Sequence, residues 1–235
     1  MVNTEKIALN TEALSENIAF INASMAAHGM TWTLITKGFK GRVLDQVFDT
    51  LCTLPLLSIG SDDLQHLSFV KARNPRIETW FLNYDACSEI PHFVDVNLSH
   101  AWHQNHPCCT MLCIDPERKG IALEKLPALG PAQRVGAYLD CKTMPEADFF
   151  KTWKNLGIPS TTLQSLGTSV SFSALPFLQD CGVTHYRIGE MAFFGRNLVT
   201  GAKVRGMRSD VFIAKRKITY DHLSTLILQP NENHY

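Results

Sequence analysis

The sequence predicts an α/β fold, namely a (β/α)8 barrel of the TIM type with a short extra β tail. Short runs of β-branched, aromatic and aliphatic residues alternate with helical runs up to Gly195, and this alternation gives roughly eight βα units. After Gly195 the helical runs stop. Strands that alternate with helices are typical of parallel sheets, and eight units favour closure into a barrel. An open doubly wound sheet is the alternative.

The first two elements show this pattern most clearly. Apolar residues at helical spacing predict an amphipathic helix with Thr11 as its N-cap and Glu12 in its first turn, ending before Gly29. Residues 32–36 are typical of a strand that ends at Lys37. A glycine-containing loop follows, and then a second helical run over residues 43–51.

The remaining units follow in the same order. Further strands are predicted over residues 56–59, 77–82, 92–96, 110–114, 133–139, 161–163 and 184–187, with helices from residue 62 and over residues 145–155 and 173–179. Residues 210–214 and 217–220 are typical of isolated β structure. The sequence therefore predicts a barrel over residues 1–200 and a short C-terminal extension over residues 201–235.

Composition excludes several classes of partner. Lysine and arginine together number 22, as do aspartate and glutamate, so the net charge is zero and we expect no binding to nucleic acid or to a membrane surface. No segment approaches the roughly 20 apolar residues of a membrane-spanning helix, and the N-terminus has no apolar signal core. Seven cysteines without C-x-x-C spacing indicate reduced thiols, so we expect a cytoplasmic protein.

Lys37 is the first candidate for chemistry. In a parallel barrel the reactive groups lie where strands end at their carboxyl side, because the loops there meet at one mouth. A lysine amine desolvated at such a strand end can attack an aldehyde and form a Schiff base. The alternative is a lysine that only extends its stem along the rim, and Lys40 is a nearby competitor.

Two further segments carry groups that suit an anion or a ring nitrogen. Residues 165–169 form a small, hydroxyl-rich run, interpreted as a loop that opens a helix and supplies N–H and hydroxyl donors to a phosphate. The alternative is ordinary helix capping. Arg187 ends a predicted strand and can only donate, and Gly189 allows a close backbone approach. As an alternative, Arg187 is a surface cation beside Glu190.

These elements together resemble a known family. The N-terminal Ile-Ala-Leu-Asn at residues 7–10, the strand ending on Lys37, the Gly-Thr-Ser at 167–169 and the Arg-Ile-Gly-Glu at 187–190 look like the barrel domain of alanine-racemase-like, fold-type-III pyridoxal-phosphate proteins. The resemblance covers roughly residues 5 to 200. The phrase Arg-Ile-Gly-Glu followed by Phe-Phe-Gly-Arg is most similar to ornithine-racemase-type and related amino-acid racemases. A similar Arg-Ile-Gly phrase occurs in single-domain pyridoxal-phosphate homeostasis proteins.

The resemblance implies a cofactor, pyridoxal 5′-phosphate, and a role for each matching residue. Lys37 would be the Schiff-base lysine and one proton-transferring base, and Arg187 would donate to the ring nitrogen. The phosphate would be held by Gly167, Thr168 and Ser169 together with the backbone after Arg187, including Gly189. Arg118 matches an arginine near the substrate carboxylate, with a solvated charge run as the alternative.

The sequence departs from the racemase pattern at three places. Asp140 stands where relatives have a histidine or asparagine beside the ring, and the loop after Lys37 lacks the tyrosine of alanine racemases. Two-domain racemases also bring a second base from a C-terminal β domain, of which residues 201–235 would be only a remnant or the start. Candidates for that second base are Asp140, the adjacent Cys141, or a group from a partner subunit, since a homodimer is compatible with the resemblance.

Two functions therefore follow as expectations. The first is a pyridoxal-phosphate-dependent amino-acid racemase, an isomerase that exchanges the α-proton of a small-molecule amino acid through the Lys37 Schiff base, with ornithine or lysine as first substrates to try. The alternative is a non-catalytic single-domain carrier of the cofactor. A metal site is not predicted: His100, His103 and His106 with Cys108 and Cys109 match no common zinc spacing, and Pro107 interrupts the run.

Overall fold

The computed structural model describes residues 7–37, 43–83, 89–99, 108–111, 134–139, 146–155, 157, 164–168, 172, 175–196 and 201–214. Eight parallel strands, β2 to β9, close into a barrel in chain order, because the last strand pairs with the first. The strands are β2 (Thr31–Ile35), β3 (Ser58–Ser61), β4 (Glu78–Asn83), β5 (Val96–Ser99), β6 (Cys108–Met111), β7 (Arg134–Leu139), β8 (Gln164–Thr168) and β9 (His185–Ile188). The predicted barrel is confirmed, and the open sheet is wrong.

Six helices are seen in the described part of the chain, together with a small second sheet. The helices are α1 (Thr11–Ala26), α2 (Val43–Leu51), α3 (Leu64–Arg73), α4 (Glu146–Asn155), α5 (Leu175–Asp180) and α6 (Glu190–Phe194). The second sheet pairs β1 (Ile7–Leu9) with β10 (Phe212–Ala214) in antiparallel register, so the extra β tail returns to the start of the chain. The predicted strand at 217–220 lies outside the described residues.

The first helix is capped one residue earlier than predicted. Asn10 rather than Thr11 is the N-cap, because the Asn10 side-chain oxygen accepts a hydrogen bond from the Ala13 N–H at 3.1 Å. Asparagine and threonine both suit this position. The predicted apolar face is buried against the barrel, as shown by the full burial of Leu14, Ile18, Ile21 and Met25.

Side chains on the strands alternate between the helix layer and the barrel interior. Contacts between strands that are not neighbours identify the interior face. Trp80 on β4 stacks on His185 of β9 with ring centroids 4.7 Å apart, although two strands lie between them. The apolar part of this interior is a single buried cluster of Trp80, Leu82, Val96, Leu98, Cys109 and Met111, with Ile35 packed against it.

Three strands begin later or earlier than the sequence predicted. Strand β5 lies beyond the predicted 92–96, β6 begins before the predicted 110–114, and β8 follows the predicted 161–163. Strand β8, with the sequence Gln-Ser-Leu-Gly-Thr, contains no apolar run because Ser165 and Gly167 face the interior. The interpretation of residues 165–168 as a loop that opens a helix is therefore wrong.

Helix α6 is held in place by a buried asparagine of α1. The Asn17 amide donates to the carbonyl of Ala192 at 2.9 Å and to that of Arg208 at 2.8 Å, and its oxygen accepts from the Arg208 N–H at 2.6 Å. Gly195 ends α6 with φ of 60°, and a Cβ there would collide with the Arg208 carbonyl. These contacts join α1, α6 and the segment before β10.

Replacing Asn17 with alanine is expected to lower the free energy of unfolding by about 2–3 kcal/mol, because three backbone groups lose their buried partner. Urea denaturation followed by circular dichroism measures the change. Glu16→Gln is the matched control, since it removes only the exposed ion pair between Glu16 and Arg208, at 3.2 Å, and should cost less than about 1 kcal/mol. An Asn17→Ala variant as stable as Glu16→Gln would contradict this assignment.

The predictions about membrane-spanning helices, cysteines and metal ligands can be compared only with the described residues. Within the described ranges, no helix is long and apolar enough to cross a membrane. Cys52, Cys109 and Cys181 carry thiols rather than disulfides in the structure. No cluster of metal-binding side chains is found among the described residues, but the segment with His100, His103 and His106 is not among them.

Candidate functional site

The predicted cofactor residues converge on three neighbouring strands of the barrel. Strands β8, β9 and β2 are adjacent, and their carboxyl ends form one side of the mouth. Lys37 follows the end of β2, Arg187 lies on β9 with Gly189 just after it, and Thr168 ends β8. Closure of the barrel is what brings Lys37 beside residues about 150 positions later in the chain.

Lys37 lies at the mouth and is an exposed residue, so the expected burial at this strand end is not seen. Glu190 lies close to Lys37. Burial raises the pKa of the Glu190 carboxyl, and the charge of Lys37 opposes that rise. The mouth therefore carries an amine and a carboxyl whose charges interact.

Arg187 lies inside the barrel and is only 3% exposed, so the alternative of a surface cation is wrong. Its Nη1 donates to the Ser165 hydroxyl at 2.7 Å and to the Ser165 carbonyl at 3.1 Å, and its Nη2 donates to the Ala137 carbonyl at 2.8 Å. The guanidinium therefore extends across β8 towards β7. Two backbone carbonyls and a hydroxyl compensate part of the cost of burying this charge.

Two interior glycines leave room around this arginine. Gly136 on β7 is the register partner of Ser165, and a Cβ at Gly136 would lie 2.9 Å from Nη1 of Arg187. Gly167 on β8 is the register partner of Arg187 itself, so no side chain projects there. The guanidinium occupies space that larger residues would fill.

A neutral histidine forms the layer below Arg187. The Ser58 hydroxyl donates to the Trp32 carbonyl at 2.9 Å, so it accepts from Thr33, whose oxygen lies 2.7 Å away. Thr33 must then accept from Nε2 of His185 at 2.8 Å, which leaves Nδ1 to accept from the Thr31 hydroxyl at 2.7 Å. This chain of donors assigns the Nε2–H tautomer of the uncharged ring.

Burial and two nearby arginines keep that ring uncharged. Desolvation, followed by the positive charges of Arg187 and Arg134, lowers the pKa of His185 to about 3. The neutral imidazole thus packs in the interior and hydrogen-bonds to Thr31 and Thr33 without adding a positive charge to those of Arg187 and Arg134.

An ion pair across the barrel occupies the amino-terminal end of the interior. Arg134 of β7 donates to the Glu78 carboxylate of β4 at 2.9 Å, and the Trp80 indole N–H donates to the other carboxylate oxygen at 2.7 Å. The Arg134 guanidinium also lies over the Trp80 ring, 5.4 Å from its centroid. These groups fill the lower interior, so a ligand that reaches Arg187 would enter from the mouth.

The other predicted site residues lie outside the described part of the chain. These are Ser169, Asp140 and Arg118. Sequence reasoning missed Gly136 and the interior role of Ser165, although a strand of alternating small residues opposite an arginine was a usable signal. Sequence reasoning also missed that Glu190 is a neighbour of Lys37. The only indication in the sequence was that Glu190 directly follows Gly189.

Solved alanine racemases have a similar barrel. The enzyme from Bartonella henselae, determined with covalently bound pyridoxal phosphate, gives a TM-score of 0.64 at 15% identity over 88% of this chain and 64% of the racemase. The enzyme from Acinetobacter baumannii gives 0.59 at 13% identity over 81% and 60%, respectively. That from Oenococcus oeni gives 0.56 at 11% identity over 96% and 71%.

These likenesses define the fold. The chain has an eight-stranded parallel barrel similar to that of these solved alanine racemases. It spans less than two thirds of the Bartonella and Acinetobacter racemases, 64% and 60% of their lengths. No protein-family model and no curated protein matches the sequence.

Proposed function

We propose that the chain binds pyridoxal 5′-phosphate at the mouth of the barrel and exchanges the α-proton of an amino acid, as a racemase does. One observation carries the proposal. The exposed Lys37 follows the end of β2, and the buried Arg187 lies on the adjoining β9, in a barrel similar to that of the Bartonella racemase, which was determined with covalently bound pyridoxal phosphate.

The residues present fit such a group. Lys37 offers a primary amine to an aldehyde, and Arg187 offers a cation that cannot give up its proton to a pyridine nitrogen. Gly136 leaves the space that the Arg187 guanidinium occupies, and Gly167, opposite Arg187, adds no side chain of its own. When bound, the cofactor supplies an electron-withdrawing ring that acidifies the Cα–H bond of an attached amino acid.

The protein's own groups then have distinct tasks. Arg187 would donate a hydrogen bond to the ring nitrogen and leave it unprotonated, which favours simple proton exchange. Thr168 and Ser169, with the backbone of Gly167 and Gly189, would hold the phosphate by hydrogen bonds. Arg118 would bind the substrate carboxylate as a bidentate donor.

Proton transfer needs a group on each face of the substrate carbon if the configuration is to invert. Lys37 would move the proton on one face, beside the Glu190 carboxyl, whose pKa is raised by burial. For the other face we propose Asp140, Cys141 or a group from the partner subunit of a homodimer. The odd number of cysteines supports a reducing compartment, so we place this chemistry in the cytoplasm.

The alternative function is a non-catalytic carrier of the cofactor, which rests on the same Lys37 and Arg187. A carrier that stores the cofactor without turning over amino acids would need Lys37 and Arg187 but no second base.

Incubation with amino acids in deuterated water separates the two functions. With the racemase, L-ornithine or L-lysine should gain deuterium at the α-carbon and the D-enantiomer should accumulate, as seen by mass spectrometry and chiral chromatography. If the protein is a carrier, it should acquire a visible absorbance band with pyridoxal phosphate. Deuterium incorporation and formation of the D-enantiomer should then be no greater than with free pyridoxal phosphate and no protein. A wild-type protein that takes up no pyridoxal phosphate would refute both functions.

A further inference from the structure

We infer that Gly136 and Ser165, facing each other on β7 and β8, are positioning residues that fix the orientation of the Arg187 guanidinium. The inference rests on the proposed function, because a pyridine ring nitrogen would need the Arg187 guanidinium held in a fixed orientation. The geometry itself is present in the protein alone.

Ser165 holds one end of the guanidinium at two points. Both its hydroxyl, at 2.7 Å, and its carbonyl, at 3.1 Å, accept from the same Nη1 of Arg187. The Ala137 carbonyl accepts from Nη2 at 2.8 Å. Since a guanidinium is planar, contacts from both terminal nitrogens to groups on two strands fix the plane as well as the position.

Gly136 provides the gap in which this arrangement fits. A Cβ at this position would lie 2.9 Å from Arg187 Nη1, 2.9 Å from Met111 Sδ and 3.1 Å from Cys109 Sγ. Met111 and Cys109 are fully buried, so a methyl group meets three packed neighbours at once. Nη1 can retreat only by lengthening its hydrogen bonds to Ser165.

A second interior glycine supplies a matched control. A Cβ at Gly60 on β3 would lie 2.8 Å from Ile35 Cδ1, 3.3 Å from Thr33 Cγ2 and 3.4 Å from Trp80 Cβ. The substitution Gly60→Ala therefore crowds the same barrel interior by a similar amount, but its closest neighbour is the end of an aliphatic side chain and not Arg187.

The test follows the side-chain N–H signals of Arg187 by ¹⁵N NMR of the full chain without added cofactor, with Arg187→Lys used for assignment. In the wild-type protein these N–H groups should be protected from exchange with water. Gly136→Ala and Ser165→Ala should each shift the signals and raise their exchange rate by about tenfold or more, while Gly60→Ala leaves them as in the wild type. Wild-type signals in Gly136→Ala, or equal loss in Gly60→Ala, would overturn the inference.

Titration with pyridoxal phosphate provides the second readout. Gly136→Ala and Ser165→Ala should weaken binding by about tenfold, and Gly60→Ala by no more than about twofold. Equal weakening by all three substitutions would count against a positioning role. If the wild-type protein binds no pyridoxal phosphate, the proposed function fails, and the NMR result still decides whether Gly136 and Ser165 position Arg187. Ser165→Ala adds no bulk, so it keeps the test available if Gly136→Ala does not fold.

Discussion

Lys37→Ala is expected to abolish the visible absorbance band that the wild-type protein acquires with pyridoxal phosphate. The amine of Lys37 is the group at the end of β2 that can bond covalently to the aldehyde, and alanine has no replacement for it. Absorbance spectra recorded before and after borohydride treatment measure the effect, since reduction makes the bond permanent. Mass spectrometry of a digest should then locate the added mass on Lys37 in the wild type.

Lys40→Ala is the control for this loss. Lys40 also carries a primary amine and comes three positions later in the sequence, further from the end of β2. The Lys40→Ala protein should keep the band and the borohydride adduct. A coloured Lys37→Ala protein, or an adduct that moves to Lys40 with unchanged yield, would remove Lys37 from the proposed site.

Lys37 and Arg187 could be found from the sequence because each lies at the end of a strand with apolar or aromatic residues. Alternation of such strands with helices predicts a barrel, and a barrel brings the carboxyl ends of its strands together. The order of elements was therefore enough to place Lys37 and Arg187 at one mouth. No side-chain detail was needed for that step.

Strand β8 shows why the rest of the site could not be predicted. Ser165 and Gly167 have low strand propensity, and serine and glycine in a row are typical of loops. In the barrel they lie opposite Arg187, whose long side chain fills the volume that larger residues would otherwise take. Small residues at alternate positions are a signal for a large neighbouring side chain, but only the strand register shows that Arg187 lies opposite Gly167.

Glu190 shows a related limit. The alternative from the sequence was a surface Arg187 beside Glu190, but Arg187 turns into the barrel while Glu190 begins α6 near Lys37. The deciding fact is the register between β9 and β2, in which Ile188 pairs with Leu34. Closure of the whole barrel sets the register between strands about 150 residues apart in the sequence. A local sequence pattern carries no information about that register.

Acidification is expected to destabilise the protein steeply because of His185. Its pKa falls to about 3 in the folded protein from a reference value of 6.5, so between these values the unfolded chain binds a proton that the folded protein excludes. Stability from this residue is present above pH 6.5 and is lost as the pH falls towards 3. The slope should approach about 1.4 kcal/mol per pH unit, or about 2 kcal/mol between pH 6.5 and 4.5.

Urea denaturation at a series of pH values measures this slope, and His185→Gln should remove most of it. The glutamine variant is expected to be less stable at pH 7, because it loses the stacking on Trp80 and the contacts with Thr31 and Thr33. Asn17→Ala separates that general loss from the pH effect, since it should lower the stability curve in parallel with the wild type. If His185→Gln keeps the wild-type slope, the charge of His185 is not what makes the folded protein sensitive to acid.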